Sequence, residues 1–578
     1  MHPLAKFPVT LLSFLALLWL AACSYSGRTM APAVEKPAQV QSGRQTEPPI
    51  SAPLERRDLA KSKIELDALT VQDRAAGHLS APAKIAEASQ PQELRYATEP
   101  PNTENYAHFD DNPLKRTAEH PVSTFSIDVD TGAYANIRRM LQHGHLPVKD
   151  AVRVEEMLNY FSYDYPRPKD TTQPFAVTTE LAPTPWNPNS VLLRIGLKGY
   201  DVAADKLPAA NLVFLVDISG SMMSPDKLPL LQNGLALLVQ QLRAQDRVSL
   251  VVYAGNTGVV LQPTPGDQKA TIRAALAGLT AGGSTNGGAG IRLAYAMAEQ
   301  AYIPGGINRV LLATDGDFNV GTVSFEALKN LVEQKRKTGV SLTTLGFGSG
   351  NYNDRLMEQL ADAGNGNYAY VDSLNEANKV LVSEMSSTLQ TIAKDVKIQI
   401  EFNPAMVAEY SLIGYENRAL QREDFNNDKV DAGDIGAGHT VTALYELTLA
   451  GTQGGRIEPL RYGSEPGTTK TNKNEIALLR LRYKLPASDT SKLMQQPINS
   501  ADIKDASRMS VDFRFASAVA GFGQLLRGGK YTENFGYDQV LAWAQNARGK
   551  DMFGYRGEFI SLVNLAKTLD TGNIAAPR

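Results

Sequence analysis

Residues 212–221 read Leu-Val-Phe-Leu-Val-Asp-Ile-Ser-Gly-Ser, an uninterrupted apolar segment followed at once by one carboxylate and two hydroxyls. An apolar strand without polar alternation is typical of a sheet that is covered on both faces. From this segment to about residue 393 strand and helix patterns alternate, which predicts an α/β fold built on a doubly wound, mostly parallel sheet. The further predicted strands are 248–253, 309–314, 341–347 and 367–371, and the predicted helices are 228–242, 267–279, 287–303, 324–338, 353–363 and 374–393.

Two more loops of this domain carry oxygen-bearing side chains. Gly-Gly-Ser-Thr-Asn-Gly-Gly at 282–288 leads into a helix, and Thr-Asp-Gly-Asp at 314–317 ends a strand. Loops at the carboxyl ends of the strands of a doubly wound sheet converge on one crevice, so we expect the polar side chains to meet there. These side chains are Asp217, Ser219, Ser221, Thr285 and Asp315.

All five side chains offer oxygen, and neither His nor Cys is among them. This donor set selects Mg²⁺, Ca²⁺ or Mn²⁺ over zinc. Hydroxyls are neutral and leave most of the charge on the cation, so an Asp or Glu of a protein partner could complete its coordination. The alternative is structural, with the serines and the threonine capping helices and Asp315 stabilising a turn.

The D-x-S-x-S element at 217–221, the threonine loop and the T-D-G element at 314–316 resemble the metal-ion-dependent adhesion site of the von Willebrand factor A family. The resemblance covers residues 209–393. It implies that Ser219 and Ser221 bind the metal directly and that Thr285 binds it directly or through water. It further implies that Asp217 and Asp315 act through water and orient the hydroxyls.

The regions on either side of this domain are predicted to be α+β at 119–208 and β followed by α at 394–578. Their strands, near 175–198 and 396–483, are expected to join in one sheet or sandwich into which the A domain is inserted. Stretches such as Ser-Thr-Phe-Ser-Ile-Asp-Val-Asp at 123–130 and Asn-Tyr-Phe at 159–161 resemble bacterial lipoproteins of the YfbK type. That resemblance implies no established activity.

The chain begins with Lys6, an apolar run over 7–22 and then Cys23, the single cysteine. This pattern predicts a lipoprotein signal peptide at 1–23 whose cysteine is lipidated. A buried cysteine behind a transmembrane anchor is the alternative, although the run is short for a span. Ser24 favours outer-membrane sorting by resemblance to Gram-negative signals. Residues 24–118, rich in Pro, Ala, Gln and Ser, are predicted to form a disordered tether.

Composition argues against several partners. The chain has 578 residues and a formal net charge of −3, with 58 basic and 61 acidic residues and no basic stripe, so nucleic acid is not expected. Because no P-loop is found, no nucleotide is expected either. The expected partners are therefore a protein that offers Asp or Glu and a membrane that the chain contacts through the lipid on Cys23.

Two other acidic patterns are interpreted as structural. Asp128-Val-Asp130-Thr131 matches the D-x-D-x-T nucleophile motif of haloacid-dehalogenase phosphatases, but the following segment does not fit that fold, so a turn and a helix N-cap are favoured. The acidic run at 424–431 is similar to a calcium loop but lacks both the expected glycine and the bidentate glutamate, which favours a solvated turn.

Two functions from different classes remain. The first is a binding module without enzymatic activity, in which helix 374–393 relays ligand binding to the region that follows it. The second is a hydrolase with its site in residues 394–578, a region that contains one His and no Cys. A complete metal motif with no recognisable catalytic group beside it favours the first.

Overall fold

The computed structural model describes residues 103–316, 324–458, 460 and 474–575. Cys23, most of the predicted tether and Asp317 lie outside these residues. Among the helices that are described, none has both the length and the apolar character needed to cross a bilayer.

The predicted A domain is a six-stranded sheet with helices on both faces. Its strands β5–β10 lie in the order β10-β9-β8-β5-β6-β7, and every neighbouring pair is parallel except β6 and β7. This confirms the doubly wound α/β class. The strands are Ala210–Asp217, Arg247–Tyr253, Thr257–Pro265, Ile307–Thr314, Ser341–Phe347 and Tyr368–Val371. The helices α3–α9 are Leu228–Gln241, Lys269–Ala277, Gly287–Gln300, Phe325–Arg336, Asp354–Ala363, Leu374–Asn378 and Met385–Leu389.

Two details of this domain differ from the sequence prediction. The sequence pattern did not reveal β7, because an edge strand pairs on one side only and most of its residues are half-buried or exposed. The predicted helix 374–393 ends at Leu389 and contains a π turn at Lys379–Ser383. Residues from Thr391 onward already form a strand, because the alternating apolar positions of the next domain begin there.

The regions before and after the A domain fold together. Before it come β1 to β4 with α1 and α2, and after it come β11 to β16 with α10 to α12. The first set is Lys115–Arg116, Val122–Ser126, Phe175–Pro183 and Val191–Gly199 with Gly132–Gln142 and Val154–Asn159. The second set is Thr391–Phe402, Val407–Ile413, Ile435–Gly436, Thr440–Leu449, Glu475–Lys484 and Ser491–Asn499 with Val511–Leu526, Tyr537–Asn546 and Tyr555–Ala575.

Their strands form two sheets, each built from both regions. One sheet has the order β1-β12-β14-β4-β3, and in the other β11 pairs with β2, β13 and β15, and β15 pairs with β16. Register pairs such as Val441 with Leu197 and Ile398 with Phe125 join residues from opposite ends of the chain. This confirms the predicted sandwich with the A domain inserted into it.

The sandwich and its helices make two hydrophobic cores. One lies between the sheets and includes Phe125, Leu193 and Tyr445. The other lies on the outer face of the first sheet, where α1, α2 and the C-terminal helices pack together around residues such as Phe161 and Phe515. Residues 119–208 and 394–578 therefore share their cores and form one discontinuous unit.

The described part of the predicted tether, residues 103–118, is packed against this unit and the A domain. Lys115–Arg116 pairs with β12, and the side chain of Glu104 is 3% exposed and accepts a hydrogen bond from Arg139 at 2.9 Å. The predicted boundary at 118 is therefore wrong for these residues. Their polar composition did not indicate an ordered segment, because ion pairs and backbone pairing, rather than apolar burial, stabilise it.

Candidate metal centre

The candidate centre lies at the switch point of the A-domain sheet, between β5 and β8. These strands are parallel neighbours, with Val216 paired to Ala313. Asp217 ends the first strand and Asp315 directly follows the second, and both carboxylates are fully buried. Adjacent parallel strands that leave the sheet toward different connections open a crevice at their carboxyl ends, and both aspartates stand at its floor.

Both oxygens of Asp217 hold neighbouring groups. Oδ1 accepts the backbone N–H of Ser219 at 2.8 Å, and Oδ2 accepts the hydroxyl of Thr314 at 2.8 Å. Burial raises the pKa of Asp217, and the negative charge of Asp315 adds to that effect while the hydrogen bonds oppose it. This carboxylate therefore orients the loop that carries the serines.

The two serine hydroxyls face each other. Ser219 Oγ lies 3.0 Å from Ser221 Oγ, and a short turn over Gly220–Met223 fixes this spacing. Two oxygens at right angles around an ion with metal–oxygen distances of about 2.1 Å lie about 3.0 Å apart, and neighbouring equatorial ligands of a pentagonal-bipyramidal calcium ion have a similar separation. The pair is therefore compatible with a small octahedral ion and with calcium.

The threonine loop touches the serine loop through its backbone. The N–H of Gly220 donates to the carbonyl of Gly283 at 3.0 Å, and the N–H of Gly282 donates to Ile218 at 2.7 Å. Thr285 follows this contact by two residues and is half-buried. The structure thus brings all three predicted loops together. Within the described residues no hydrogen bond ties the Thr285 hydroxyl to the other predicted side chains.

Sequence reasoning missed Lys227 and Asn351. Lys227 Nζ donates to Asp315 Oδ2 at 2.9 Å and to Asn351 Oδ1 at 3.0 Å. Asn351 Nδ2 donates to the same Asp315 oxygen at 3.1 Å. One signal could have identified the lysine. It occupies the N-cap of α3, where the helix dipole disfavours a cation unless an anion lies nearby.

The D-x-D-x-T motif lies elsewhere, at the junction of the A domain with the sandwich. Asp130 accepts the backbone N–H of Tyr368 at 2.7 Å, and Arg418 pairs with Asp128 at 3.0 Å and with Asp130 at 3.4 Å. Thr131 does occupy the N-cap of α1, but its side chain makes no capping hydrogen bond. These carboxylates join two parts of the fold.

Asp128 also belongs to a buried group with Glu156 and Glu358, in which one carboxylate oxygen of each residue lies within 4.8 Å of the other two. Two guanidiniums already pair with this group. Arg153 pairs with Glu156 and, at 3.5 Å, with Glu358, while Arg418 pairs with Asp128 and, at 3.3 Å, with Glu358. The group is therefore an ion-pair network. Arginine side chains occupy the place beside the carboxylates that a metal ion would need.

Two lysine ammonium groups donate hydrogen bonds to backbone carbonyls of the acidic run at 424–431. Lys397 Nζ donates to the carbonyls of Asp424 and Asn427 at 3.1 and 2.6 Å, and Lys484 Nζ donates to the carbonyl of Asp428 at 2.7 Å. Two ammonium groups inside the loop repel a divalent cation. The turn interpretation is therefore favoured over calcium binding, with the correction that internal lysines rather than water satisfy its carbonyls.

The single histidine of the C-terminal region lines a polar cavity of about 270 Å³ with Ser383, Ser386 and Ser387. Burial lowers the pKa of His439 to about 4, and the charges of Lys379 and Lys198 act in the same direction. Its buried Nδ1 has no hydrogen-bond partner among the described residues. A general base acts through a hydrogen bond to its nucleophile, and none is found among the described residues from Nδ1 to the serines of this cavity.

Comparisons with known proteins agree with this layout. Residues 211–383 match the von Willebrand factor type A domain, residues 100–194 match the family described as von Willebrand factor, and residues 387–569 match the C-terminal region of the uncharacterized protein YfbK. Over 473 residues the chain is 51% identical to the uncharacterized protein YfbK of Escherichia coli K12, which covers 81% of each chain. The chain belongs to the YfbK family.

More distant relatives of this YfbK-family chain share only part of it. Inter-alpha-trypsin inhibitor heavy chain H3 of Pongo abelii is 23% identical over 287 residues, which is 46% of this chain and 32% of that protein. The magnesium-chelatase 60 kDa subunit of Cereibacter sphaeroides is 33% identical over 157 residues, 25% of this chain and 27% of that one. Among solved structures, a von Willebrand factor type A protein from Catenulispora acidiphila is 14% identical with a TM-score of 0.39, over 68% of this chain and 91% of that one.

Proposed function

We propose that this YfbK-family protein is a binding module that captures a carboxylate of a partner protein through one divalent cation in its A domain. The observation that carries the proposal is the pairing of Ser219 and Ser221 hydroxyls, 3.0 Å apart, beside two buried aspartates at the switch point of the sheet. Asp217 already accepts hydrogen bonds on both oxygens. The ion would therefore rest mainly on neutral donors and keep its charge for an incoming Asp or Glu.

The donor set favours a hard divalent cation such as Mg²⁺. The two serine oxygens stand at a separation that suits neighbouring ligands of Mg²⁺, Mn²⁺ or Ca²⁺. Thr285 would join the set from the neighbouring loop, whose backbone is in contact with the serine loop.

The module is proposed to sit in the bacterial cell envelope, held in the outer membrane by lipid on Cys23. The support is the sequence pattern around that residue, because residues 1–102 lie outside the described part of the chain. Cells that express Cys23→Ala should release the protein from the membrane pellet into the soluble fraction. Unchanged retention in the pellet would count against the lipid anchor.

We propose a binding role without enzymatic activity. A hydrolase site in the C-terminal region would need a base hydrogen-bonded to a nucleophile, and Nδ1 of His439 makes no hydrogen bond to another described residue. The binding role needs only the hydroxyl and carboxylate set that the sheet already brings together. Absence of turnover with ester, peptide and phosphoester substrates would be consistent with this role, whereas turnover lost in His439→Ala would contradict it.

The deciding experiment is a pull-down from envelope extract with protein that lacks residues 1–23. It compares wild type in Mg²⁺, wild type in EDTA and Asp217→Ala in Mg²⁺. The matched control is Asp226→Ala, which removes a carboxylate bonded to Ser224 in the same loop without touching the serine pair. We expect a partner that is captured by wild type and by the control in Mg²⁺ and is absent from the other two samples.

Capture of the same partner in all samples would show that the candidate centre takes no part in binding. Loss of the partner in Asp226→Ala as well would show that the effect comes from the fold of the loop rather than from the metal set. Melting curves of both variants are needed beside the pull-down, because Asp217 also orients the loop through two hydrogen bonds.

A further inference from the structure

Asp315 differs from the other predicted site residues because an internal cation holds it. Its Oδ2 accepts one hydrogen bond from the Lys227 ammonium at 2.9 Å and another from the Asn351 amide at 3.1 Å. Lys227 also donates to Asn351 at 3.0 Å, which closes the triangle. An oxygen that already accepts two donors, one of them charged, is a poor direct ligand for a metal.

The fold makes room for the lysine at this point. Lys227 is 6% exposed, and its stem runs over Gly348, where an added Cβ would come within 2.2 Å of the lysine Cε. Gly348 has φ of +76°, and its carbonyl accepts the hydroxyl of Tyr370 at 2.5 Å, so the backbone of this loop is fixed. The Lys227 ammonium is therefore buried and held in one position beside Asp315, unlike the ammonium of an exposed surface lysine.

Charge balance shows what the lysine changes. The carboxylates of Asp217 and Asp315 together carry two negative charges, and Lys227 offsets one of them. Counting these three side chains, a divalent ion beside them would leave one net positive charge, which attracts a carboxylate. The same ion beside the two aspartates alone would leave no net charge, and the attraction would vanish.

We propose that Lys227 is a positioning residue that holds Asp315 away from the metal and keeps the loaded site cationic. This inference rests on the proposed metal-dependent function. It specifies that the site has a lower affinity for the metal ion and, in return, a higher affinity for an acidic ligand. Removing the lysine charge should free Asp315 to approach the ion. Metal affinity should rise and carboxylate affinity should fall, a split that a purely structural lysine would not produce.

The test uses the chain without residues 1–23, as wild type, Lys227→Gln and Lys227→Met. Lys227→Gln keeps a hydrogen-bond donor near Asp315 and protects against simple misfolding, and circular dichroism melting checks that both variants fold. Lys206→Gln is the control, because it removes an equal charge from an exposed position just before the A domain. Calorimetry measures Mg²⁺ binding. Water-proton relaxation of the Mn²⁺-loaded proteins, titrated with acetate, measures carboxylate binding.

We expect both Lys227 variants to bind Mg²⁺ about tenfold more tightly than wild type and to bind acetate about tenfold more weakly, with Lys206→Gln unchanged. Equal or weaker Mg²⁺ binding in both variants, while wild type still binds the ion, would overturn the role of Lys227 and leave the proposed function standing. Failure of wild type and variants alike to bind Mg²⁺ would overturn both proposals. Binding in the variants but not in wild type would overturn both proposals, because the wild-type site would then never hold the ion.

Discussion

Replacing Glu155 by glutamine should make the fold more stable at neutral pH. Glu155 lies on α2, is 1% exposed and stands near two other acidic groups, Glu416 and Asp128. Burial raises its pKa from an ordinary value of 4.5 to about 8, and the charges of those two neighbours act in the same direction. The folded chain therefore holds a proton at this site that the unfolded chain releases.

The direction of the pH effect follows from that difference. Because the folded pKa lies above the unfolded value, the stability that this group contributes is fully present below about pH 4.5 and is lost progressively as the pH rises toward the folded pKa of about 8. Each pH unit in this window costs about 1.4 kcal/mol per proton. At pH 7 the accumulated cost is about 3 kcal/mol. A glutamine of the same shape carries no such cost.

Denaturant unfolding from pH 5 to pH 8, followed by far-ultraviolet circular dichroism, measures this. The free energy of unfolding of Glu155→Gln should exceed that of wild type by an amount that grows with pH and reaches about 3 kcal/mol at pH 7. Glu401→Gln is the control, since that side chain is 47% exposed and pairs loosely with Arg480 at 3.6 Å. A difference between Glu155→Gln and wild type that stays constant across the pH range would refute the reasoning.

Three further substitutions test other parts of the fold by the same unfolding measurement. Arg138→Met leaves two buried carboxylates of the A domain without their cation and should cost about 3–5 kcal/mol, whereas Arg508→Met, at a side chain that is 66% exposed, should cost little. Lys397→Met leaves two carbonyls unpaired and should cost about 1–3 kcal/mol that added Ca²⁺ does not restore; recovery with Ca²⁺ would revive the calcium interpretation. Gly436→Ala places a Cβ 1.7 Å from a backbone carbonyl of α9 and should cost about 3 kcal/mol, while Gly258→Ala meets no atom within 4 Å and serves as its control.

The sequence was sufficient to predict the A-domain sheet and the meeting of the three loops. Both follow from local patterns, since apolar strands alternate with helices and the polar residues fall directly after β5 and β8. The joining of early and late strands was also predictable, because each set alternates with period two and needs a partner for its apolar face.

Contacts between residues far apart in sequence could not be predicted in this way. Asn351 reaches Asp315 across 36 positions and Lys227 reaches it across 88, and no spacing rule connects them. The same holds for Glu104, whose binding to Arg139 at 2.9 Å orders a segment that composition assigns to the tether. Burial would raise the pKa of Glu104, but the charge of Arg139 and hydrogen bonds lower it, so this carboxylate is ionised in its pocket.

Buried ion pairs also bear on whether the last helix of the A domain can move when a ligand binds. Arg138 of α1 donates to Asp372 at 2.5 Å and to Glu376 at 2.7 Å, at the start of that helix, and all three side chains are at most 5% exposed. Separating a buried charge from its partner costs about 3–5 kcal/mol. A shift of α8 away from α1 would break these ion pairs. Ligand binding at the metal centre would have to supply that free energy. Because the helix continues directly into β11, a central strand of the sandwich, the fold opposes its displacement at both ends. The crevice should therefore meet its carboxylate ligand in the conformation described here, and a relay through the helix would require binding energy larger than this cost.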